Sequence, residues 1–520
     1  MTTANDIEQQ VLEVVNPATE QALDGAFRVH TISEIENAVQ QAVKAFAAYR
    51  KLSGERRAAF LEAIAAEILA LGDQLIVRAA AETGLPSMRI IGERGRTVNQ
   101  LKAFASLIRE GSWVEASIDR AQPNRTPLPK ADIRKMAIPI GPVVVFTASN
   151  FPLAFSTAGG DTASALAAGN PVIVKAHPAH LGTNELVAQA IEKAANKTGM
   201  PQGVFASLVG QGFELGQTLV RHPAIKAVAF TGSFSGGKAL FDVANQRTEP
   251  IPVFAEMSSI NPVILLTSKL KEHHEQLAAD LAQSITLGAG QFCTNPGLLI
   301  GLDRPEFHQF TEALSKHIEE AQGQTMLHRG IWENFEQGKA ESLNQTGVSL
   351  LAESKNVDGN NQSKAALAQV FGSDFLRNPQ LLHEVFGPYS LVITCQDQDE
   401  LQKVLCALNG QLTCTFIGND SDFEQHEALI AIAQDKAGRV LFNGVPTGVE
   451  VCDSMVHGGP FPATTDSRFT SVGMDAIKRF VRPFCWQNAP QAILPHELKD
   501  ENSLGIWRKV DGSLSKEALS

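Results

Sequence analysis

The stretch GPVVVFTASNFPLAFSTAGGDTASALAAGNPVIVKAHPA, residues 141–179, predicts a strand, a helix and a second strand in succession. PVVVF and PVIVKA are short apolar runs rich in Val and Ile, and the run near 155–168 between them is typical of a helix. A strand, a helix and another strand of these lengths form a βαβ unit, in which the two strands lie parallel. The sequence therefore predicts an α/β fold built on a parallel sheet.

The same alternation continues towards the C-terminus. A helix near 183–197 and a second near 235–245 alternate with the strand candidates VFASLVG, KAVAFTG and PVFAEM. A further alternating region, about 277–445, has the strand candidates LLIGL, SLVITC, TCTFIG and VLFNG and predicts a second α/β domain. Residues 33–72 predict an amphipathic helical cover, because apolar residues recur there every three or four positions.

Two segments resemble strands that need a partner. ADIRKMAIPIG, residues 131–141, alternates apolar and polar positions, and DAIKRFVRPFCW lies near the C-terminus. Both are typical of edge strands used for pairing between subunits, so we expect a homo-oligomer. We expect the last fifteen residues to form a surface tail.

Composition and charge exclude several classes of protein. The 520 residues suffice for two or three domains. A formal charge of −12 argues against a nucleic-acid or anionic-membrane binder. No apolar run reaches about 18 residues and the N-terminus does not resemble a signal peptide, which predicts a cytoplasmic protein. The 6 cysteines form no C-x-x-C pair and have no histidine at metal-ligand spacing, so we expect reduced thiols and no metal.

One cysteine stands in the setting of a nucleophile. In LGAGQFCTNPGLLIG, residues 287–301, Cys293 lies between a Gly-rich lead-in and a Pro-Gly break. A thiol at such a turn can be exposed to a substrate while turn N–H groups face the reacting atom. Free cysteine is also among the most buried residue types, so this segment by itself leaves both interpretations open.

A second segment suggests a phosphate site. FTGSFSGGK, residues 230–238, ends a strand at Thr231, Gly232 and Ser233 and opens a helix, whose free N–H groups suit a pyrophosphate. An ordinary Ser N-cap explains the same pattern. No G-x-G-x-x-G follows a candidate strand, so the usual dinucleotide fingerprint is absent.

Six motifs together resemble the aldehyde dehydrogenase superfamily from roughly residue 10 to residue 490. They are FTASNFPLAF at 146–155, VIVKAHPA at 172–179, FTGSFSGGK, EMSSINP at 256–262, GQFCTNPG at 290–297 and HEVFGP at 383–388. KAHPAH, FAEMSSINP and HGGPFPATTDSRFTSVG look most like the bacterial α-ketoglutaric semialdehyde (2,5-dioxovalerate) dehydrogenases, a group related to an NADP-preferring fatty aldehyde dehydrogenase. Ser258 and Ser259 replace the Gly-Gly of most relatives.

The resemblance implies two Rossmann-like parallel-sheet domains and a small β oligomerisation arm. The cofactor-binding domain would span 1–125 and 142–256, with about 450–475, and the catalytic domain would span 257–449. The oligomerisation segments would be 126–141 and 476–500, with a tail at 501–520. The assembly would be a homodimer or a homotetramer.

The resemblance also implies a chemistry for four residues. Cys293 would attack the aldehyde to form a thiohemiacetal, from which a hydride leaves to give a thioester. Asn150 would stabilise the oxyanion, and Glu256 would activate the water that hydrolyses the thioester. His457 stands where the broad family lacks a histidine and would be auxiliary, although a lone His before Gly-Gly is more often structural.

The cofactor would be NADP or NAD. The matching positions are Lys175 at the adenosine ribose, Gly232 and Ser233 at the pyrophosphate, Glu384 at the nicotinamide ribose, Phe386 beside it, and Thr147 and Gly237. NAD-selective members usually carry a glutamate three residues after this lysine, where this chain has Pro178. The missing carboxylate removes a charge that would repel a 2′-phosphate, which favours NADP.

The aldehyde is a small molecule that the motifs specify less closely. A semialdehyde with a distal carboxylate suits a guanidinium, and Arg94, Arg96 and Arg468 are candidates, unless they form internal ion pairs. The alternatives are a fatty or other medium- or long-chain aldehyde, and transfer of the acyl group to coenzyme A. The FTGS and HEVFGP motifs, which the resemblance assigns to the cofactor site, argue against a cofactor-free thiol esterase. A non-catalytic protein disagrees with the filled catalytic positions.

Overall fold

In the computed structural model, which describes residues 10–519, helices cover the faces of large β-sheets. The strands are β1 (Val11–Leu12), β2 (Phe27–Arg28), β3 (Ser117–Asp119), β4 (Ile133–Pro139), β5 (Val143–Phe146), β6 (Val172–Lys175), β7 (Phe205–Leu208), β8 (Ala227–Thr231), β9 (Val253–Glu256), β10 (Val263–Leu265), β11 (Leu298–Leu302), β12 (Gln324–Thr325), β13 (Ser349–Glu353), β14 (Gln362–Ser363), β15 (Ala366–Phe371), β16 (Tyr389–Cys395), β17 (Gln411–Ile417), β18 (Ala437–Phe442), β19 (Val481–Gln487), β20 (Arg508–Val510) and β21 (Ser513–Ser515). The α-helices are α1 (Ile32–Tyr49), α2 (Gly54–Ala70), α3 (Gly72–Thr83), α4 (Ser87–Glu110), α5 (Gly160–Ala168), α6 (Leu181–Thr198), α7 (Glu214–Arg221), α8 (Phe234–Asn245), α9 (Thr267–Thr286), α10 (Pro305–Glu320), α11 (Arg329–Leu343), α12 (Gly372–Arg377), α13 (Gln398–Ala407), α14 (Asp420–Gln425) and α15 (Glu427–Lys436).

The first large sheet has the strand order β7-β6-β5-β8-β9, and all its strands are parallel. Successive side chains of a strand point to opposite faces, so Val143 and Val145 pack with α2, α4, α5 and α6 on one face. Val144 and Phe146 pack with α1, α7 and α8 on the other. Both faces are therefore buried, as is usual for a parallel sheet covered by helices.

The second large sheet has the order β13-β15-β16-β11-β10-β17-β18, parallel except for the β13–β15 pair. The four strand candidates of the second alternating region are β11, β16, β17 and β18. The sequence did not single out β10, which lies between β11 and β17, or β13 and β15. The α/β fold with two parallel-sheet units is confirmed.

The third sheet, β19-β4-β3-β20-β21, is the arm. The two segments expected to seek a partner pair with each other, from Val481 opposite Pro139 to Gln487 opposite Ile133. The expectation of a surface tail is wrong, because β20 pairs with β3 and β21 pairs with β20. The tail sequence is polar, so its strands lack an apolar period, yet the buried Arg508 donates to the carbonyl of Glu517 at 3.0 Å.

The boundaries differ from the predicted ones at two places. β3 belongs to the arm sheet although it lies within the range 1–125 predicted for the cofactor-binding domain. The first nine residues of that range, and residue 520 of the predicted tail, lie outside the described residues. Within residues 10–519, no helix combines the length and the apolar character that crossing a bilayer requires.

Candidate active site

Cys293 lies in a tight turn between α9 and β11. Gly290 in this turn has a φ of +65°, and a Cβ there would lie 2.3 Å from the carbonyl carbon of Gly387, so only glycine fits. The buried Asn261 donates its side-chain N–H groups to the carbonyls of Cys293 and Asn295, each at 2.9 Å. The second domain thus holds the thiol on a fixed backbone.

The Cys293 thiol meets two other functional groups, which we call the Cys–His–Glu cluster (Cys293, His457, Glu256). Cys293 Sγ lies 3.3 Å from His457 Nε2, and that nitrogen lies 3.1 Å from Glu256 Oε1. One donor atom from each residue lies within 4.8 Å of the others. The structure therefore brings together three of the four predicted catalytic residues, and His457 is a direct contact rather than a distant structural residue.

The end of β9 and the loop that follows β18 bring Glu256 and His457 together. Glu256 ends β9, where the backbone pairs with Thr464 of the loop that follows β18. The same loop returns at Ser471, whose N–H donates to the His457 carbonyl at 2.8 Å. The Ser471 hydroxyl donates to Glu256 Oε2 at 2.8 Å. Each carboxylate oxygen of Glu256 therefore has its own partner, Nε2 of His457 on one side and Ser471 on the other.

Burial and neighbouring charges oppose each other in the cluster. Burial raises the pKa of the Cys293 thiol well above its ordinary value, and the Glu256 carboxylate raises it further. Burial also raises the pKa of Glu256, but the electrostatic interaction with His457 and the hydrogen bonds from His457 and Ser471 outweigh burial and hold that pKa below its ordinary value. The favoured state is thus a protonated thiol beside an ionised carboxylate.

The same arrangement selects the tautomer of His457. A lone pair on Nε2 would face the negative Glu256 oxygen 3.1 Å away, so Nε2 carries the proton. An Nε2–H group donates to the carboxylate or to a sulfur anion, and it cannot accept the thiol proton. Glu256 is therefore the base nearest to Cys293, and His457 stabilises the thiolate once it forms.

Asn150 reaches the same turn from the other domain. It follows β5, and its side-chain N–H donates to the carbonyl of Gln291 at 3.1 Å, two residues before Cys293. The Asn150 carbonyl accepts from Arg89 at 3.4 Å. A side-chain amide has two N–H groups, so one remains for an oxygen bound at the sulfur. The amide can therefore act as an oxyanion donor, the role that the resemblance implies.

Aromatic rings form a wall beside the cluster. Phe151 packs edge-on against Phe155 and Phe292 at centroid distances of 5.3 and 5.5 Å, and Phe155 lies 6.3 Å from the His457 ring. The Arg96 guanidinium lies 5.4 Å from the Phe155 centroid. An apolar wall with a cation at its edge suits a short chain that ends in a charge.

Arg96 is a partly buried cation, and two of its nitrogens are buried without a hydrogen-bond partner. Nε and one terminal nitrogen have no partner among the described residues. Burial lowers the pKa of Arg96, while the Cys293 sulfur when it is ionised and the carboxylates of Glu93, Glu450 and Glu256 raise it, so the guanidinium stands in the electric field of the cluster. Buried polar groups are normally paired, and an unpaired one in a cleft is a candidate ligand contact.

The other two candidate arginines lie elsewhere. Arg94 donates to the carbonyl of Gly72 at 3.0 Å, at the start of α3. Arg468 forms an ion pair with Asp466, and its side chain is 79% exposed. The expectation that these two contact the substrate is therefore not supported, because both guanidinium groups already have partners away from the Cys293 turn. Arg96 alone of the three adjoins it.

The predicted cofactor residues gather at the carboxyl edge of the first sheet. Thr147 follows β5, Lys175 ends β6, and Gly232 and Ser233 follow β8. Thr147 Oγ1 donates to the Lys175 carbonyl at 3.2 Å, which ties the first two strand ends together. Ligands of parallel α/β sheets bind at this edge. The sequence alone could list these residues, and the sheet places them side by side.

The helix start and the lysine both fit a nucleotide. Ser233 caps α8 by accepting from the N–H of Gly236 at 3.2 Å. A Cβ at Gly237 would lie 2.6 Å from Cγ of Met257, the residue after β9, so a glycine at this position lets α8 pack closely against the end of β9. Burial lowers the pKa of Lys175 to about 8, and no carboxylate raises it among the described residues. A cation without a carboxylate partner and a helix N-terminus at the same edge of the sheet fit a phosphate-bearing cofactor.

Glu384 and Phe386 come from the second domain. They line a cavity together with Ser259, Asn295, Gly387 and Tyr389, next to the Cys293 turn. Burial raises the pKa of Glu384 to about 8, although hydrogen bonds from Ser258 and from the Ser259 backbone lower it. A carboxyl group without a cationic partner in such a cleft can accept a sugar hydroxyl, as expected for the nicotinamide ribose.

Sequence reasoning missed three residues that support the site. Asn261 holds the Cys293 carbonyl, Ser471 holds Glu256, and Arg89 lies 4.6 Å from the ring centroids of both Phe151 and Phe292. Asn261 and Ser471 stand within motifs already quoted, but a short polar residue in a loop gives no signal of its partner. Arg89 lies two turns before Arg96 on α4, a spacing that places both on one helix face.

The comparisons with known proteins agree with this geometry. The model of the aldehyde dehydrogenase family matches residues 3–461. The chain is 51% identical over 502 residues to alpha-ketoglutaric semialdehyde dehydrogenase 2 of Azospirillum brasilense, covering 96% of both chains. It is 49% identical over 506 residues to alpha-ketoglutaric semialdehyde dehydrogenase of Acinetobacter baylyi, covering 97% of this chain and 96% of the relative.

Solved structures show the same fold at lower identity. The methylmalonate-semialdehyde dehydrogenase of Oceanimonas doudoroffii superposes with a TM-score of 0.78 at 18% identity, over 93% of this chain and 96% of the other. A structure of 3,6-anhydro-L-galactose dehydrogenase has the same TM-score at 21% identity, over 92% and 96% of the two chains. With a family match across most of its length, the chain belongs to the aldehyde dehydrogenase family and is an NAD(P)-dependent oxidoreductase that acts on aldehydes.

Proposed function

We propose that the protein oxidises 2,5-dioxovalerate, the semialdehyde of 2-oxoglutarate, to 2-oxoglutarate. The observation that carries the proposal is the partly buried Arg96, two of whose nitrogens lack a hydrogen-bond partner, next to the Cys–His–Glu cluster. The cluster supplies the aldehyde chemistry, and the arginine supplies a cation for the distal carboxylate. The two relatives that share about half of the sequence are named for this substrate.

The first step is attack by Cys293 on the aldehyde carbon. The thiol proton passes to Glu256, which is ionised and within 4.8 Å of the sulfur. The Nε2–H of His457, 3.3 Å away, stabilises the thiolate. The carbonyl oxygen becomes an oxyanion and accepts hydrogen bonds from the Asn150 amide and from the Cys293 backbone N–H. The product is a thiohemiacetal.

The second half of the reaction is hydrolysis. NADP or NAD, held by Lys175, the α8 N-terminus and Glu384, supplies the hydride acceptor when it is bound. Glu256 first releases to solvent the proton that it took from the Cys293 thiol. Once the thioester has formed, the ionised Glu256 takes a proton from water, which attacks the acyl carbon, and the sulfur of Cys293 leaves and takes up a proton to regenerate the thiol. Oxidation of one aldehyde thus consumes one water and yields one carboxylate. A Glu256→Gln variant should still form the thioester when assayed at a pH that ionises the thiol, and it should hydrolyse it very slowly.

We propose NADP as the preferred cofactor, with NAD also accepted. Pro178 occupies the position of the NAD-selective glutamate and carries no charge to repel a 2′-phosphate. Lys175 supplies a positive charge on the same strand end. Catalytic efficiencies measured with both cofactors test this, and a large preference for NAD would contradict it.

We also propose a cytoplasmic homodimer or homotetramer. Among residues 10–519, β19 pairs only with β4 and leaves its other edge open, and its exposed residues include Phe484 and Cys485. An open edge strand with exposed apolar groups is typical of a surface that another subunit covers. Light scattering coupled to gel filtration measures the mass in solution, and a stable monomer would contradict the assembly.

The substrate is tested by replacing Arg96. A hydrogen-bonded ion pair with a carboxylate contributes about 1.5 to 3 kcal/mol, so Arg96→Met should raise the KM for 2,5-dioxovalerate about 10- to 150-fold. The KM for a neutral alkanal of similar length should change little. Arg468→Met is the matched control, because that guanidinium is exposed and paired with Asp466. It should leave both constants near the wild-type values.

Two results would contradict the proposed substrate. An equal rise of KM for the charged and the neutral aldehyde would give Arg96 a structural role only. A much higher kcat/KM for long alkanals than for 2,5-dioxovalerate would favour a fatty aldehyde. Product analysis with coenzyme A present separates hydrolysis from acyl transfer, and formation of an acyl-coenzyme A would contradict the role of Glu256.

A further inference from the structure

The Cys–His–Glu cluster has the composition of a metal site. A thiol, an imidazole and a carboxylate are three of the side chains that bind Zn²⁺ in proteins. Among residues 10–519 these three form the one group of His, Cys, Asp and Glu donors that lie close enough together to share an ion. Because 164 residues separate Cys293 from His457, no ligand spacing in the sequence could indicate this site.

The distances within the cluster are close to those around a bound Zn²⁺. Zn–S and Zn–N bonds of about 2.3 and 2.05 Å at a tetrahedral angle place sulfur and nitrogen about 3.6 Å apart, and a nitrogen and an oxygen about 3.4 Å apart. The corresponding contacts in the protein are 3.3 Å for Sγ to Nε2 and 3.1 Å for Nε2 to Oε1. Each would widen by about 0.3 Å, a small movement of side chains.

The neighbours of the cluster already orient its three side chains. The Ser471 hydroxyl donates to Oε2 of Glu256 at 2.8 Å, which leaves Oε1 in contact with His457 Nε2. The backbone N–H of His457 donates to Thr470 Oγ1 at 2.8 Å, and the side chain of Asn261 donates to the Cys293 carbonyl. Partners of this kind fix ligands and strengthen metal binding in known zinc sites. The cluster therefore does not have to be ordered by the ion.

The charges also favour a divalent cation. A thiolate and a carboxylate in the same buried space repel each other, and their summed charge of about −2 equals the charge of the ion with opposite sign. The ion replaces the thiol proton, and the Nε2 proton of His457 moves to Nδ1. Binding thus releases one proton from the protein and leaves a neutral site.

We infer that Cys293, His457 and Glu256 bind Zn²⁺, with a water as fourth ligand, and that the bound ion reversibly blocks the enzyme. The inference rests on the proposed function in one respect, that the same three groups carry the chemistry. A metal-bound sulfur cannot attack an aldehyde, and a metal-bound Glu256 cannot accept a proton. Aldehyde oxidation and Zn²⁺ binding are thus mutually exclusive at this site.

Cobalt is a spectroscopic probe for the site. Co²⁺ added to the full-length, chelator-treated protein should give a thiolate-to-metal charge-transfer band in the near ultraviolet at one ion per chain. Zn²⁺ should abolish the band by displacing Co²⁺ and should slow the alkylation of Cys293 by iodoacetamide at least tenfold. Mg²⁺, which prefers oxygen ligands, should do neither.

Variants assign the ligands. Cys293→Ser should lose the band, and His457→Asn should weaken Co²⁺ binding at least tenfold. A variant with the exposed cysteines Cys406, Cys452 and Cys485 changed to Ser is the matched control and should bind as the wild type does. Circular dichroism and the mass in solution should be unchanged in each folded variant.

The outcomes separate this inference from the proposed function. The inference is overturned if the cobalt charge-transfer band persists in Cys293→Ser. It is also overturned if the band is lost in the variant whose three exposed cysteines are changed to Ser. Wild-type affinity in His457→Asn also overturns it. Oxidation of 2,5-dioxovalerate in the presence of a chelator supports the proposed function whatever the metal does. Failure of that oxidation with an intact cobalt band would overturn the proposed function alone.

Discussion

Replacing Ser471 by alanine tests how the protein sets the proton affinity of its general base. The Ser471 hydroxyl donates to Glu256 Oε2 at 2.8 Å, and it is one of the causes that hold the Glu256 pKa below its ordinary value. The backbone N–H of Ser471 donates to the His457 carbonyl at 2.8 Å and remains in the variant. The substitution therefore removes one hydrogen bond to the carboxylate and leaves the loop attached.

The size of the effect follows from the energy of that bond. A hydrogen bond to a buried charged group contributes about 1.5 to 3 kcal/mol, and one pKa unit corresponds to about 1.36 kcal/mol. Loss of the donor favours the protonated acid, so the pKa of Glu256 should rise by about one to two. Glu256 acts as a base when ionised. Activity should consequently fall on the acid side, and the acid limb of kcat should move to higher pH by the same amount.

The assay is the pH profile of kcat together with the pre-steady-state release of NADPH. Ser471→Ala should keep a burst of about one NADPH per site at a pH above its shifted limb, because Cys293 is unchanged, while hydrolysis becomes slower below it. Ser471→Thr retains the hydroxyl and should retain the wild-type profile. An acid limb that stays in place while kcat falls equally at every pH would refute the reasoning, since it would show only a distorted site.

Further predictions concern the cofactor site and the cysteine turn. The pKa of Lys175 is about 8 because of burial, so its charge is present below that pH and lost above it. In the wild type, the KM for NADP should rise as pH passes upward through this value. In Lys175→Met, the KM for NADP at low pH should be at least tenfold higher than in the wild type and should change little with pH. A parallel rise of KM with pH in both proteins would exclude Lys175 as the cause. Asn261→Asp replaces the N–H donors that face the carbonyls of Cys293 and Asn295 with an anion. The substitution should lower the free energy of unfolding by at least about 2 kcal/mol and lower the thermal midpoint. Asn245→Asp, at an exposed asparagine, is the control and should have little effect on the midpoint. Equal midpoints for both variants would contradict the role of Asn261.

Much of the fold was predictable because its signals are local. Apolar runs of four to seven residues between helical segments identify strands buried on both faces, and the parallel order follows from the crossover helices. β20 and β21 could not be predicted, because a short polar strand shows no alternation of apolar and polar residues. Their stability comes from pairing, of β20 with β3 and of β21 with β20. β10 was missed as a strand of three residues, although it pairs with β11 and β17 on its two sides.

The sequence by itself determined the parallel α/β architecture and the membership of Cys293, Glu256 and Asn150 in one set of motifs, because both follow from residues adjacent in the chain. Only the tertiary structure decided that His457 touches both Cys293 and Glu256, that Ser471 orients the carboxylate, and that Arg96 rather than Arg94 or Arg468 adjoins the cluster. These contacts join residues far apart in the sequence. The direction of a side chain depends on how the sheets and loops pack, and no local pattern records that packing.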